Sequence, residues 1–196
     1  MLTSSRKHRW TYQLHHPFFG DQTGTLLLDQ RPQESIEHLL MKACSFFLFF
    51  HPSLEIERQV NQRHKPDLVA FNQWGDPCIW IDCGMTHIRK LKRISNLNHQ
   101  ANLIIVKKTP SELKRYAYQA TPLLNCPERV MYQSYNFGFL TELKSKISSS
   151  CRWEVTVLNE DHSPSSLFIT LNNQESVSTS VIWIGDQRFR FKEDSY

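Results

Sequence analysis

Hydrophobic and polar positions alternate in some stretches of the chain and recur at helical spacing in others. Alternation predicts two strands over residues 8–18 and 24–30, which form an N-terminal hairpin. A helix is predicted in "RPQESIEHLLMKACSFFLFF", with Pro32 near its start and apolar residues from Leu39 onward. We expect it to end at His51-Pro52, because the residue before a proline is driven out of the helical conformation.

The middle of the chain predicts three strands, a basic helix and a further strand. The segments are "SLEIERQV" (53–60), "PDLVAFNQ" (66–73), "PCIWIDCG" (77–84), a helix over about 86–97, and "ANLIIVKK" (101–108). The second and third strands form a hairpin around Trp74-Gly75-Asp76, and the third is apolar enough to be buried on both faces. A strand, a helix and another strand imply parallel pairing, so we expect a mixed sheet flanked by helices.

The remainder of the chain predicts more helices and an antiparallel addition. Thr109 and Pro110 look like a capped helix start, a strand follows near Val130, and a helix covers roughly 138–148. Three alternating stretches then fill residues 151–185. The prediction is a single α/β domain over residues 1–196, with a core at about 32–108 and an antiparallel extension at about 151–185.

Composition narrows the class of protein only slightly. The 196 residues carry 23 Lys and Arg against 19 acids, a formal charge of +4, which is compatible with a nucleic-acid partner but does not require one. Five scattered cysteines without a C-x-x-C pair argue against a disulfide scaffold or a structural zinc site. No stretch is apolar for long enough to suggest a signal peptide or a membrane span. We therefore expect a cytoplasmic protein without a membrane partner.

The candidate chemistry lies in the predicted hairpin of strands and the helix after it. Asp67 begins one strand and Asp82 ends its neighbour, so both carboxylates belong to the same edge of the sheet. Two carboxylates with water suit a hard divalent cation such as Mg²⁺. The next helix carries Arg89, Lys90, Lys92 and Arg93. Acids for a metal beside bases for a phosphate suit phosphodiester hydrolysis.

A structural explanation of the same residues is also open. An aspartate after proline is a common turn residue, and an aspartate before glycine commonly ends a strand. Basic residues on an exposed helix face are usually only solvated. The order of the surrounding elements, rather than the two acids themselves, favours the metal site. Trp74, in the hairpin turn, is the one tryptophan placed to stack on a base.

The chain resembles the YaeQ family within the PD-(D/E)xK, restriction-endonuclease-like superfamily. The residues that carry the resemblance are "RPQESIEHLL", "KPDLVAF", "WIDCG", "IRKLKR" and "NHQANLIIV". The resemblance implies a core of helix, three strands, helix and strand, and it extends from the first strands to about Gly185. Each motif is short, and their order and spacing carry the likeness.

The resemblance implies roles for individual residues. Asp67 matches the first metal-binding aspartate, and Asp82 matches the second acid, where the family pattern has Glu. Glu34 or Glu37 matches a third acid on the first core helix, and Glu37 is preferred. Gln100 matches a polar position near such sites, and Lys92 and Arg93 are expected to bind nucleic acid.

The main departure from the superfamily pattern is the lysine of D-x-K, whose place is taken by Gly84. In some members the cation moves to the next helix, where Arg89 and Lys90 stand. Because arginine stays protonated at neutral pH and cannot exchange a proton, Lys90 is the first choice and Arg89 the second.

The leading hypothesis is a nuclease or phosphodiesterase that uses Mg²⁺ or Mn²⁺ and no organic cofactor. The alternative is a catalytically inactive protein of the same fold with a nucleic-acid-binding or regulatory role. The absence of the D-x-K lysine favours this alternative. A protein-interaction module is a weaker third possibility.

Overall fold

The computed structural model describes residues 5–60, 63–185 and 188–190. Within these ranges the chain forms ten strands and four α-helices. The strands are Arg6–His16 (β1), Gly20–Gln30 (β2), Glu55–Ile56 (β3), Leu68–Phe71 (β4), Pro77–Cys83 (β5), Asn102–Lys107 (β6), Val130–Tyr135 (β7), Ser150–Glu160 (β8), Ser163–Leu171 (β9) and Glu175–Ile184 (β10). The helices are Ile36–Leu48 (α1), Ile88–Leu97 (α2), Pro110–Ala120 (α3) and Phe139–Lys146 (α4), with 3₁₀ turns at Thr121–Leu123 and Pro127–Arg129.

All of these strands belong to one mixed sheet, in the order β2-β1-β8-β9-β10-β7-β6-β5-β4-β3. The pairs β5–β6 and β6–β7 are parallel, and in each case a helix connects the two strands. The antiparallel extension is confirmed as β8, β9 and β10, and it joins β1 in parallel on one side and β7 on the other. The molecule is therefore a mixed α/β protein built on a large sheet.

Helix α1 is largely buried, and it begins a few residues later than predicted from the sequence. Ser35 caps it by accepting a hydrogen bond from the backbone N–H of His38. Pro32 therefore lies in the preceding turn instead of the helix. From Leu39 to Leu48 every residue is buried, which explains the apolar run that predicts the helix.

The sheet has a hydrophobic core on each side. On the α1 face, Ile79, Ile81 and Cys83 of β5 pack into a cluster with α1 and the β8–β10 strands. On the α2–α3 face, Trp80 packs with residues of α2, α3 and β6. Burial of β5 on both faces is thus confirmed, and successive side chains of the strand lie against the elements on opposite faces of the sheet.

One strand predicted from the sequence is much shorter in the structure. The strand predicted over residues 53–60 is reduced to Glu55–Ile56, because Glu57 adopts a left-handed conformation with φ of 53° that ends the pairing. Its side chain instead enters a cluster of charges near α1. In the described ranges no helix is long and apolar enough to cross a membrane.

Candidate active site

The structure brings Asp67 and Asp82 to the same edge of the sheet. Leu68 pairs with Ile81 in the β4–β5 ladder, and the Asp67 N–H donates to the Ile81 carbonyl at 3.0 Å. The two aspartates therefore stand opposite each other, one before β4 and the other near the end of β5. Their backbone positions meet as the hairpin predicts.

Asp67 is held by groups on the α1 side. The backbone N–H of Cys83 donates to Asp67 Oδ2 at 2.7 Å, and His38 Nε2 lies 3.2 Å from Oδ1. Burial acts to raise the pKa of Asp67, but His38, the Cys83 N–H and Lys42 outweigh it and lower the pKa. Asp67 is therefore a stable carboxylate.

Asp82 has a different environment on the α2 side. Its side chain is 1% exposed, its Oδ1 accepts a hydrogen bond from Trp80 Nε1 at 3.2 Å, and its Oδ2 lies 2.6 Å from Lys90 Nζ. Burial raises the pKa of Asp82 and the charge of Asp67 adds to the effect, although Lys90 and the Trp80 N–H act in the opposite direction. The charge of Asp67 therefore disfavours the ionised form of Asp82.

The cation predicted first for the site, Lys90, lies directly at Asp82. Its ammonium group also donates to the Lys65 carbonyl at 3.2 Å. Arg89, the residue before Lys90 in the helix, is exposed. Of the two candidates, the structure brings only Lys90 into contact with an acid of the site.

The third acid preferred from the sequence, Glu37, points elsewhere. Glu37 Oε1 lies 3.0 Å from Lys144 Nζ and 3.9 Å from Lys108 Nζ. The other candidate, Glu34, lies 3.5 Å from His38 Nε2 through its Oε1, so it belongs to the same group of contacts as Asp67. Within the described ranges, no three His, Cys, Asp or Glu side chains form a ready metal site.

A cluster of charges around Lys42 of α1 was not predicted from the sequence. Lys42 is 1% exposed and forms ion pairs with Glu34 and Glu57. Lys65 and Arg31 also contact Glu57. The signal that could have found this cluster is the spacing of Glu34, His38 and Lys42, each four residues apart, with Glu34 just before the helix begins.

Positive charge surrounds the α2 side of the site. Burial lowers the pKa of His64, and the charges of Lys90, Arg93 and Arg63 lower it further. Lys92 and Arg93 are exposed. This basic cluster (Arg63, His64, Lys90 and Arg93) extends the surface next to Asp82.

Two residues proposed from the sequence lie at the opposite end of the β4–β6 strands from the two acids. Gln100 precedes β6, whose start pairs with Ile79 near the beginning of β5. Trp74 lies in the β4–β5 turn and is 75% exposed. Because Asp82 is near the other end of β5, the structure does not bring either residue to the acids.

The sequence and fold can be compared with those of known proteins. A family model described as YaeQ protein matches residues 19–179. The chain belongs to the YaeQ family. No curated protein matches it.

Two solved structures of the YaeQ family have the same fold. The YaeQ protein from Xanthomonas axonopodis pv. citri is 18% identical with a TM-score of 0.75, over 92% of this chain and 98% of that chain. The YaeQ protein from Pseudomonas syringae is 14% identical with a TM-score of 0.75, over 93% of this chain and 98% of that chain. At these identities the likeness concerns the fold alone.

In this YaeQ chain, Gly84 has a conformation that excludes a side chain. Its φ is +68°, and a Cβ added there would lie 2.9 Å from His38 Nδ1 and 3.3 Å from Met41 Cε. A side chain at position 84 would therefore collide with the α1 face. Lys107, which the sequence argument did not single out, donates to the Gly84 carbonyl from the neighbouring strand.

Proposed function

We propose that the protein is a Mg²⁺-dependent nuclease with a core of the PD-(D/E)xK type. The observation that carries the proposal is the pair of opposed carboxylates, Asp67 and Asp82, beside the basic cluster of α2. The order α1, β3, β4, β5, α2, β6 is the order expected for that core. An anionic polymer would meet positive charge on the same side as the acids.

The donor groups fit a magnesium ion chemically. The charge of Asp67 acts to raise the pKa of Asp82, and a divalent cation bound by the two carboxylates would offset that unfavourable interaction. Magnesium is usually bound by one or two carboxylates and keeps several waters, so a third protein ligand is not required. Asp67 and Asp82 would hold the ion. Glu34 shares His38 as a contact with Asp67, whereas Glu37 contacts lysines elsewhere.

The proposed reaction is hydrolysis of a phosphodiester. A water oxygen adds to phosphorus while a P–O ester bond breaks, the water gives one proton to solvent, and the leaving oxygen takes one up. Bound Mg²⁺ lowers the pKa of a water and polarises a phosphoryl oxygen. Lys92 and Arg93 would contact the flanking phosphates, and Lys90 lies beside Asp82, where its ammonium group balances the charge of the carboxylate.

The activity is tested with purified protein, plasmid and single-stranded substrates, and Mg²⁺ or Mn²⁺. We expect Asp82→Asn and Asp67→Asn each to lower the cleavage rate by about 100-fold or more, because each removes a charge that binds the metal. Asp76→Asn is the matched control, since Asp76 is exposed in the turn at the far end of β5. Cleavage that is equal in all of these variants would come from a contaminant and would contradict the proposal.

A second candidate function is binding of nucleic acid without cleavage. It is favoured by the 2.6 Å contact of Lys90 with Asp82 and by the His38 and Cys83 contacts of Asp67, which occupy both carboxylates. Its expected result is binding with a steep salt dependence that survives Asp82→Asn, in the absence of cleavage. Replacing Lys92 and Arg93 by Glu would then reduce the slope of log Kd against log salt.

A further inference from the structure

Lys107 lies at the same level of the sheet as Gly84, one strand away. Cys83 pairs with Val106 in the parallel β5–β6 ladder, and the Gly84 N–H donates to the Val106 carbonyl at 2.9 Å. Lys107 therefore stands next to Gly84. Along β6, Leu103 and Ile105 pack on the α2–α3 face, so alternation places Lys107 on that face too.

Asp82 projects from the same face of the neighbouring strand. It follows Trp80 by two residues, and Trp80 packs in the α2–α3 core. Lys107 and Asp82 thus share one face at one edge of the sheet. A side chain at position 84 would instead meet His38 and Met41 on the α1 face, so that position has no way to provide a cation beside Asp82.

Lys107 is a buried cation whose charge is only partly compensated. The residue is 7% exposed, and its ammonium group donates to the Gly84 carbonyl and lies 3.9 Å from the centre of the Tyr116 ring. Among the described residues no carboxylate lies within ion-pair distance of it. Burial lowers the pKa of Lys107 to about 8, although Glu112 and Asp82 act to raise it.

Lys90 differs from Lys107 in this respect. Lys90 already contacts Asp82, so binding a phosphate requires that contact to break. The partners of Lys107 are the Gly84 carbonyl and the Tyr116 ring, neither of which carries a negative charge. A phosphate oxygen would supply that charge. A buried ammonium group without a carboxylate partner is unfavourable in a protein interior, and an anion would stabilise its charge.

We propose that Lys107 is a catalytic residue whose ammonium group contacts the scissile phosphate, the role that D-x-K lysines fill from β5. The inference rests on the proposed nuclease function. Lys107 stabilises the negative charge that develops on a non-bridging phosphate oxygen as the water oxygen adds. Lys90 then serves to neutralise Asp82 before metal and substrate bind.

The kinetic test compares Lys107→Met, Lys107→Arg and Lys114→Met with the unmodified chain. Single-turnover cleavage rates are measured with Mg²⁺, and oligonucleotide affinities are measured with Ca²⁺. We expect Lys107→Met to lower the rate by about 100-fold while Kd changes by less than about threefold. Lys107→Arg should recover part of the rate, and Lys114→Met, on the exposed side of α3, should change neither quantity.

A second measurement does not depend on cleavage. The protein is labelled with ¹³C at lysine Cε, and the Lys107 signal is assigned by its disappearance in Lys107→Arg. Addition of a single-stranded oligonucleotide with Ca²⁺ should shift this signal and leave that of Lys114 in place. Thermal melting of each variant shows that the chain is folded.

The outcomes separate the two proposals. Cleavage by the unmodified chain, with no signal shift and an unchanged rate in Lys107→Met, would overturn the role of Lys107 and leave the nuclease intact. A shift of the Lys107 signal without any cleavage would preserve the phosphate contact and overturn the nuclease. Absence of both cleavage and shift would overturn both.

Discussion

At the scale of single residues, Gly84 separates the two faces of the candidate site. Gly84 has a left-handed φ. On one face of the sheet near it, Asp82 contacts Lys90, and on the other face His38 contacts Asp67. A Cβ at this position would lie 2.9 Å from His38 Nδ1. Glycine is therefore favoured there by the backbone conformation as well as by the space.

We predict that Gly84→Ala destabilises the protein more than Gly75→Ala does. Gly75 also has a left-handed φ, of +84°, but a Cβ there would meet nothing within 4 Å. Gly75→Ala should therefore cost about 1 kcal/mol from the backbone alone, and Gly84→Ala about 2–4 kcal/mol. Urea denaturation of both variants measures the difference. Equal losses would mean that His38 and Met41 move aside without cost.

Asp67 and Asp82 show how much of the site can be predicted from residue types and their spacing. The hairpin is sufficient to place the two acids opposite each other, because the start of one strand and the end of its antiparallel neighbour meet at one edge. Which helix supplies the partner of each acid depends on packing across the sheet. His38 comes from α1 and Lys90 from α2, on opposite faces. No spacing in the sequence contains that information.

At the scale of elements, α2 begins without a side-chain cap. His87 occupies the N-cap position with φ −68° and ψ 136°, makes no capping hydrogen bond there, and no acid follows in the first turn. The first N–H groups of the helix therefore have no side-chain cap, at the sheet edge that carries Asp82. An uncapped, cationic helix is less stable than it could be, and this is compatible with a surface that binds an anion.

We predict that His87→Asn and His87→Asp both stabilise the protein, by about 1 kcal/mol each, because either side chain caps the helix. Only His87→Asp adds a negative charge beside the basic cluster, so it should weaken oligonucleotide binding while His87→Asn leaves it nearly unchanged. Thermal melting and a fluorescence binding titration measure the two effects. Equal binding in both variants would place the nucleic acid away from the start of α2.

The elements themselves follow closely from local patterns. Nearly every predicted strand and helix is present within a few residues, because alternation and helical spacing are local properties. The exception is β3, where Glu57 leaves the strand to join Lys42. That contact joins residues fifteen positions apart, so the strand pattern of residues 53–60 does not reveal it.

At the scale of the whole molecule, the buried His16 and the partly buried Glu57 make the fold sensitive to acid. Burial lowers the pKa of His16 from 6.5 to about 4, against a backbone hydrogen bond that raises it. Burial acts to raise the pKa of Glu57, but Lys42, Arg31 and Lys65 outweigh it and lower the pKa from 4.5 to about 2. In both cases the unfolded chain binds a proton more readily than the folded one.

We predict that stability falls in two steps as the pH is lowered. The contribution of His16 is present above pH 6.5 and is lost towards about 4, and that of Glu57 is present above 4.5 and is lost towards about 2. Each step should amount to about 2–3 kcal/mol. Urea denaturation at several pH values measures them. His16→Gln should remove the upper step and Glu57→Gln the lower one, and steps that persist in these variants would belong to other groups.

The sheet as a whole is a product of tertiary structure. The parallel pairing of β1 with β8 and the antiparallel pairing of β10 with β7 unite the N-terminal hairpin, the middle strands and the antiparallel extension. The alternating pattern of these strands shows that each has one buried face. It contains nothing about which edge pairs with which, because backbone hydrogen bonds are alike in every strand.

By itself, the sequence determined the order of helices and strands, the double burial of β5, the place of Asp67 and Asp82 at one sheet edge, and the resemblance to the YaeQ family. These depend on periodicity and short-range geometry, which neighbouring residues specify. Only the tertiary structure decided that Glu37 pairs with Lys144, that Lys90 lies at Asp82, and that Lys107 stands beside Gly84. Those contacts join different segments of the chain, and packing of the helices against both faces of the sheet selects them.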